Sequence, residues 1–134
     1  MLHPVIAMFL LTFAVWLFMY VQRFRYMAAN KIKPQDIPTP EAIAKLLPDR
    51  INRSSDNFKN LFEMPVIFYA VSSLALSLHI TDRVLMTMAW AFVLFRAIHS
   101  AIHCTVNHVP MRFLSYFVSS VILFGMIVRF ATLA

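Results

Sequence analysis

The chain has 134 residues, 60% of them hydrophobic and 13% charged, with one glycine and a formal net charge of +6. That is far more apolar and less charged than a soluble domain, and the length allows one domain. A soluble globular fold is excluded, and the excess of basic residues reads as membrane topology and attraction to anionic headgroups, with no nucleic-acid partner.

Pro4–Val21 is the first apolar run and carries no charge. It lacks a basic n-region and is longer than a usual signal-peptide core, so it is expected to stay as a spanning helix. Eight of the twelve Lys and Arg residues follow between Val21 and Leu61. The positive-inside rule therefore predicts a cytoplasmic loop over about residues 23–57, with both termini outside. Within it, Thr39-Pro40-Glu41 combines an N-cap residue, a proline at the first helical position and an early carboxylate. These predict a short helix from about Pro40 to Leu47, lying on the membrane surface.

Leu61–Ile80 carries only Glu63 and His79 as charged or titratable groups besides its tyrosine. On a continuous helix, Asp56, Asn60, Glu63 and Ile67 share one face, and Lys59 and Glu63 form an i,i+4 pair. Val84–Cys104 places Arg96, His99 and His103 on one face. Phe113–Ala134 is interrupted only by Arg129, which with Arg83 is expected to snorkel to the outer interface. Pro110 is well placed to open this last helix, with Arg112 in its first turn. Each run approaches the roughly 20 residues that cross a hydrocarbon core, and the scarcity of glycine and of period-2 alternation argues against a barrel. The predicted fold is an all-α membrane protein, one domain, with spans at about 4–22, 58–80, 84–104 and 111–132.

Charged groups inside spans are costly and usually face a bundle interior with partners. Glu63 reads either as a packing partner for Arg96 or as a ligand group. His99 and His103, with Cys104 and His108 nearby, resemble metal or haem ligands at helical spacing, but an i,i+4 His pair without a further fixed ligand is weak evidence, and no metal residue is assigned. A lone Cys104 rules out an internal disulfide and reads as packing.

The order Asn60-x-x-Glu63 with Pro65, then "RAIHSAIHCTVNHVPMRFLSY" from Arg96 to Tyr116, resembles the MAPEG family, membrane-associated proteins in eicosanoid and glutathione metabolism. The resemblance covers essentially the whole chain. It implies a four-helix bundle assembled as a homotrimer, with glutathione as co-substrate between protomers and a lipophilic electrophile or lipid peroxide entering from the membrane. Carried over residue by residue, it implies catalytic roles for Arg112 and Tyr116. It also implies glutathione contacts from Arg23, Lys59, Asn60, Glu63, Arg96, His99 and His103. Two positions depart from the family's prostaglandin synthase, where His103 replaces a tyrosine and Phe113 a serine; Lys59 replaces an arginine of the pocket. The implied function is a glutathione transferase or peroxidase. A non-catalytic scaffold of the same fold, and a His-ligated metal or haem protein, are the alternatives.

Overall fold

The computed structural model describes residues 1–134 as six α-helices with no strand. α1 (Leu2–Ala29) leads into a 3₁₀ turn at Pro34–Asp36, then α2 (Pro40–Leu46), α3 (Asp49–Asn60), α4 (Met64–Ser77), α5 (Arg83–Cys104) and α6 (Val109–Ala131). Four helical segments are long and apolar enough to cross a membrane: α1, α3 with α4, α5, and α6. The chain is an integral, multi-pass membrane protein of the expected all-α class.

Local signals explain most boundaries. Thr39 Oγ1 accepts from the Ala42 amide at 3.2 Å and starts α2, the short helix expected there. Asp82 caps α5 by accepting from the Leu85 amide at 2.7 Å. Pro110 lies in the first turn of α6, where its missing N–H costs nothing, and His108 Nδ1 caps that helix by accepting from the Met111 amide at 3.4 Å. Asn107 adopts a positive φ of 51°, a conformation that Asn tolerates better than other side-chain-bearing residues.

The second span departs from the expected 58–80. Helix begins earlier, at Asp49, ends at Ser77, and is broken over Leu61–Glu63. The physical reason is Pro65 in the first turn of α4, which leaves no donor for the preceding turn, while Glu63 takes φ −96° and ψ −102°. The face shared by Asp56, Asn60, Glu63 and Ile67 is therefore not formed, because its register ends at Asn60. Lys59 does not pair with Glu63 either; its Nζ lies 3.6 Å from Asp56.

Only 28 residues are buried, and the outer surface is apolar. Leu10, Phe113 and Phe124 are each more than 60% exposed, as lipid or another subunit demands. Inside, Phe68 of α4 stacks on Phe92 of α5 at 4.7 Å between ring centroids, surrounded by Met8, Leu61, Leu85, Leu123 and Met126. The single glycine, Gly125, admits the Met88 side chain; a Cβ there would lie 2.7 Å from Met88 Cε.

Hydrogen bonds between α3 and α5 add a polar seam. Arg96 Nη2 donates to Asn60 Oδ1 at 2.6 Å and to the Asn60 carbonyl at 3.0 Å. Three residues back on α3, Asn57 Oδ1 accepts from Ser100 Oγ at 3.3 Å and Asn57 Nδ2 meets Cys104 Sγ at 3.4 Å. Arg53 Nη1 then donates to the Thr105 carbonyl at 3.2 Å. Partners at spacings of three and four on two antiparallel helices keep these bonds in register.

Arg129 does not simply snorkel. It reaches Asp82 through Nη2 at 2.7 Å and Nε at 3.2 Å, tying the end of α6 to the start of α5. The guanidinium and the Leu85 amide together hold the Asp82 carboxyl below the usual carboxylate range. A depressed carboxyl stabilises the fold above its unfolded pKa, and that contribution is lost as pH falls through the folded value. Asp82→Asn, which keeps a capping oxygen, should lower the melting temperature in detergent less than Asp82→Ala. It should also flatten the loss of stability that the wild type shows below about pH 4. Identical acid profiles for wild type and Asp82→Asn would contradict this assignment.

Candidate functional site

α3, α5 and α6 bring one cluster of polar side chains together. Arg96 is fully buried about two turns before the end of α5, and its only hydrogen-bond acceptors are the two oxygens of Asn60. Its Nε and Nη1 are buried without a hydrogen-bond partner, and the guanidinium carbon lies 5.5 Å from the Tyr116 ring centroid, a cation–π contact. Asn60 continues the chain of bonds, donating from Nδ2 to Glu63 Oε2 at 2.7 Å. Glu63 and Arg96 thus share Asn60 as a go-between and form no direct ion pair, contrary to the packing pair that sequence allowed. The Glu63 carboxylate lies on the exposed surface.

One turn along α5, His99 Nδ1 sits 3.0 Å from the Arg112 backbone carbonyl. A carbonyl only accepts, so in the neutral ring Nδ1 carries the proton and Nε2 keeps a lone pair. The His99 ring also lies 5.4 Å from that of His103 and 5.8 Å from that of Tyr116. Arg112 bonds through Nη1 to Asn107 Oδ1, so the side chain is held by the turn between α5 and α6. Ser115 Oγ also donates to the Arg112 carbonyl, at 2.9 Å.

Asn60, His99, His103, Arg112 and Tyr116, with Val109 and Phe113, line an open cavity of about 240 Å³. Fixed cationic charge, a phenol, two imidazoles and an amide can receive an anion or hold an ionised nucleophile. Phe113 is exposed at its rim, giving one side an apolar approach.

Arg23 and Lys59 do not join this cavity. They line a second one of about 410 Å³ between α1, α2 and α3, with Tyr20, Asp49, Asn52 and Asp56. Here carboxylates balance the cations. The sequence reading placed all nine residues around one ligand; within a single chain they fall into two groups.

A model of the MAPEG family matches residues 1–132. The chain belongs to the MAPEG family. Searches of curated proteins and of solved structures return no match. MAPEG membership carries a membrane-bound, glutathione-related role at the level of the family.

Two positioning residues escaped the sequence reading. Asn57 makes the α3–α5 seam continuous, and its place three residues before Asn60 is a signal that could have found it. Asn107 holds Arg112, and an Asn directly before His-Val-Pro fits a tight interhelical turn. No group of three or more His, Cys, Asp or Glu side chains is arranged to hold a metal ion.

Replacing the Asn60 side chain would leave the buried Arg96 charge with only the backbone carbonyl of residue 60 as acceptor. Asn60→Leu should therefore destabilise the protein by about 1.5–3 kcal/mol, the range for a hydrogen bond to a charged group. Arg96→Met, which removes the charge with its need, should cost less, and the double variant should be more stable than Asn60→Leu. Thermal unfolding in detergent measures this; additive costs would contradict the dependence of Arg96 on Asn60.

Proposed function

We propose that the protein is a membrane-bound glutathione transferase or peroxidase acting on lipophilic electrophiles or lipid peroxides. The observation that carries this reading is the convergence of Arg112, Tyr116, His99, His103 and Asn60 on one cavity with an apolar rim. Family membership supports glutathione as the co-substrate.

Glutathione has an ammonium, two carboxylates and a thiol. Glu63 accepts from the ammonium and Arg23 and Lys59 meet the carboxylates, while the buried Arg96 stays with Asn60 behind the site. In this reading the two cavities are halves of one site, completed where neighbouring protomers of a homotrimer meet. Their separation within one chain, and the exposed apolar surface of the spans, favour such an assembly. Arg112 lies in the first turn of α6, where its charge and the helix dipole both favour thiolate over thiol. Tyr116, one turn later, offers a second donor to the sulfur. Met111, Phe113 and Phe117 on the exposed side of α6 give an apolar electrophile its approach from lipid.

The roles separate experimentally. Glu63→Gln should weaken glutathione binding by about ten- to a hundredfold while leaving the oligomer intact. Arg112→Leu should chiefly abolish the thiolate absorbance of bound glutathione near neutral pH and lower turnover with a model electrophile. Normal binding by Glu63→Gln together with loss of the oligomer would make the polar cluster a packing device, and the protein a scaffold. Unaltered turnover and thiolate titration in Arg112→Leu would remove that residue from the mechanism.

Orientation follows from charge. The basic stretch between α1 and α4 is placed in the cytoplasm, with both termini outside. A reporter fused after Ala134 should therefore be active only if it functions outside the cytoplasm; activity confined to the cytoplasm would reverse the topology.

A further inference from the structure

Thiolate formation needs a destination for the thiol proton, and neither Arg112 nor Arg96 can take one, because a guanidinium has no acceptor. Tyr116 in its neutral form is a poor base. His99 differs. It is 4% exposed, it lines the cavity, its Nδ1–H is committed to the Arg112 carbonyl, and its Nε2 is buried without a partner. The same carbonyl belongs to the residue whose charge favours the thiolate, so acceptor and charge are fixed to one another. A neutral ring in any other orientation would break the 3.0 Å bond to α6.

We infer that His99 Nε2 is the proton acceptor for the co-substrate thiol, held in its accepting tautomer by the backbone of Arg112. This rests on the glutathione reading and adds a catalytic role that the resemblance, which made His99 a binding residue, did not assign.

The step balances within the site. The S–H bond breaks with its electron pair left on sulfur, and an N–H bond forms at Nε2. Neutral thiol and neutral imidazole become thiolate and imidazolium. With an epoxide as electrophile, sulfur forms the S–C bond while the C–O bond breaks, and the alkoxide oxygen takes the proton back from Nε2. No oxidant or further reactant is required.

The charged or titratable groups around the ring are Arg96 and His103 on α5, and Arg112 and Tyr116 on α6. α3 contributes neutral Asn60, with Glu63 bonded behind it. Two guanidiniums make a lasting imidazolium costly, so the proton is held only while thiolate accompanies it.

His99→Asn is the informative variant. Its Nδ2 can keep the donor to the Arg112 carbonyl, but nothing replaces the Nε2 lone pair. With an aryl epoxide, turnover should fall by about 10²- to 10⁴-fold, and the residual rate should rise with pH as solvent hydroxide takes over. Glutathione affinity should change by less than about tenfold. Wild-type binding and turnover in His99→Asn would overturn the inference while leaving the glutathione reading intact. The failure of wild-type protein to bind glutathione would remove both. An independent measurement needs no variant: ¹⁵N-histidine NMR of the ligand-free protein should show Nδ1 protonated and Nε2 unprotonated at His99. A protonated Nε2 there would overturn the inference whatever the variant does.

Discussion

A guanidinium buried inside a spanning bundle without a carboxylate in direct contact is the constraint around which this structure is organised. Charge in that position is expensive, and the Arg96 head group is fully withdrawn from the surface. Asn60 answers it with two oxygens, which requires α3 to reach α5 at that depth and to stop there. The break at Leu61–Glu63 follows, because Asn60 is the last helical residue before it and Pro65 starts the next helix. One bond therefore fixes the approach of α3, the place of the break and the outward position of Glu63. The seam through Asn57 and Ser100 spreads the same registration over two further turns.

The proposed site uses what that constraint leaves over. Once Asn60 takes one edge of Arg96, the rest of the guanidinium packs over the Tyr116 ring, which in turn lies 5.8 Å from the imidazole of His99. The turn through Asn107 then delivers Arg112 to the same cavity from the other side. Asn60 both holds Arg96 and lines the cavity, so a structural role for that pair does not compete with the binding role proposed for their neighbours. At the opposite end, the Asp82–Arg129 pair fastens α5 to α6 without touching this cavity.

Much of this was legible in the sequence. Apolar runs of membrane length gave the four spans, and Thr39-Pro40-Glu41 and Pro110 gave two helix starts, because each signal is local. Helical spacing correctly put Arg96, His99 and His103 on one buried face of α5. The same periodicity failed across Asn60–Glu63, where proline chemistry overrides a helical register. Arg129 was misjudged because its partner, Asp82, lies 47 residues away and on another helix. The separation of Arg23 and Lys59 from the cavity lined by Asn60, His99, His103, Arg112 and Tyr116 was illegible for a related reason: spacing along one chain says nothing about which face of the bundle meets a second copy.

Calorimetric titration of the detergent-purified wild type decides whether the cavity from Asn60 to Tyr116 belongs to a glutathione site. Glutathione should bind saturably, and cysteinylglycine, which lacks the γ-glutamyl ammonium and carboxylate, should bind much more weakly. Absence of saturable heat with glutathione, or equal affinity for the truncated peptide, would contradict the account.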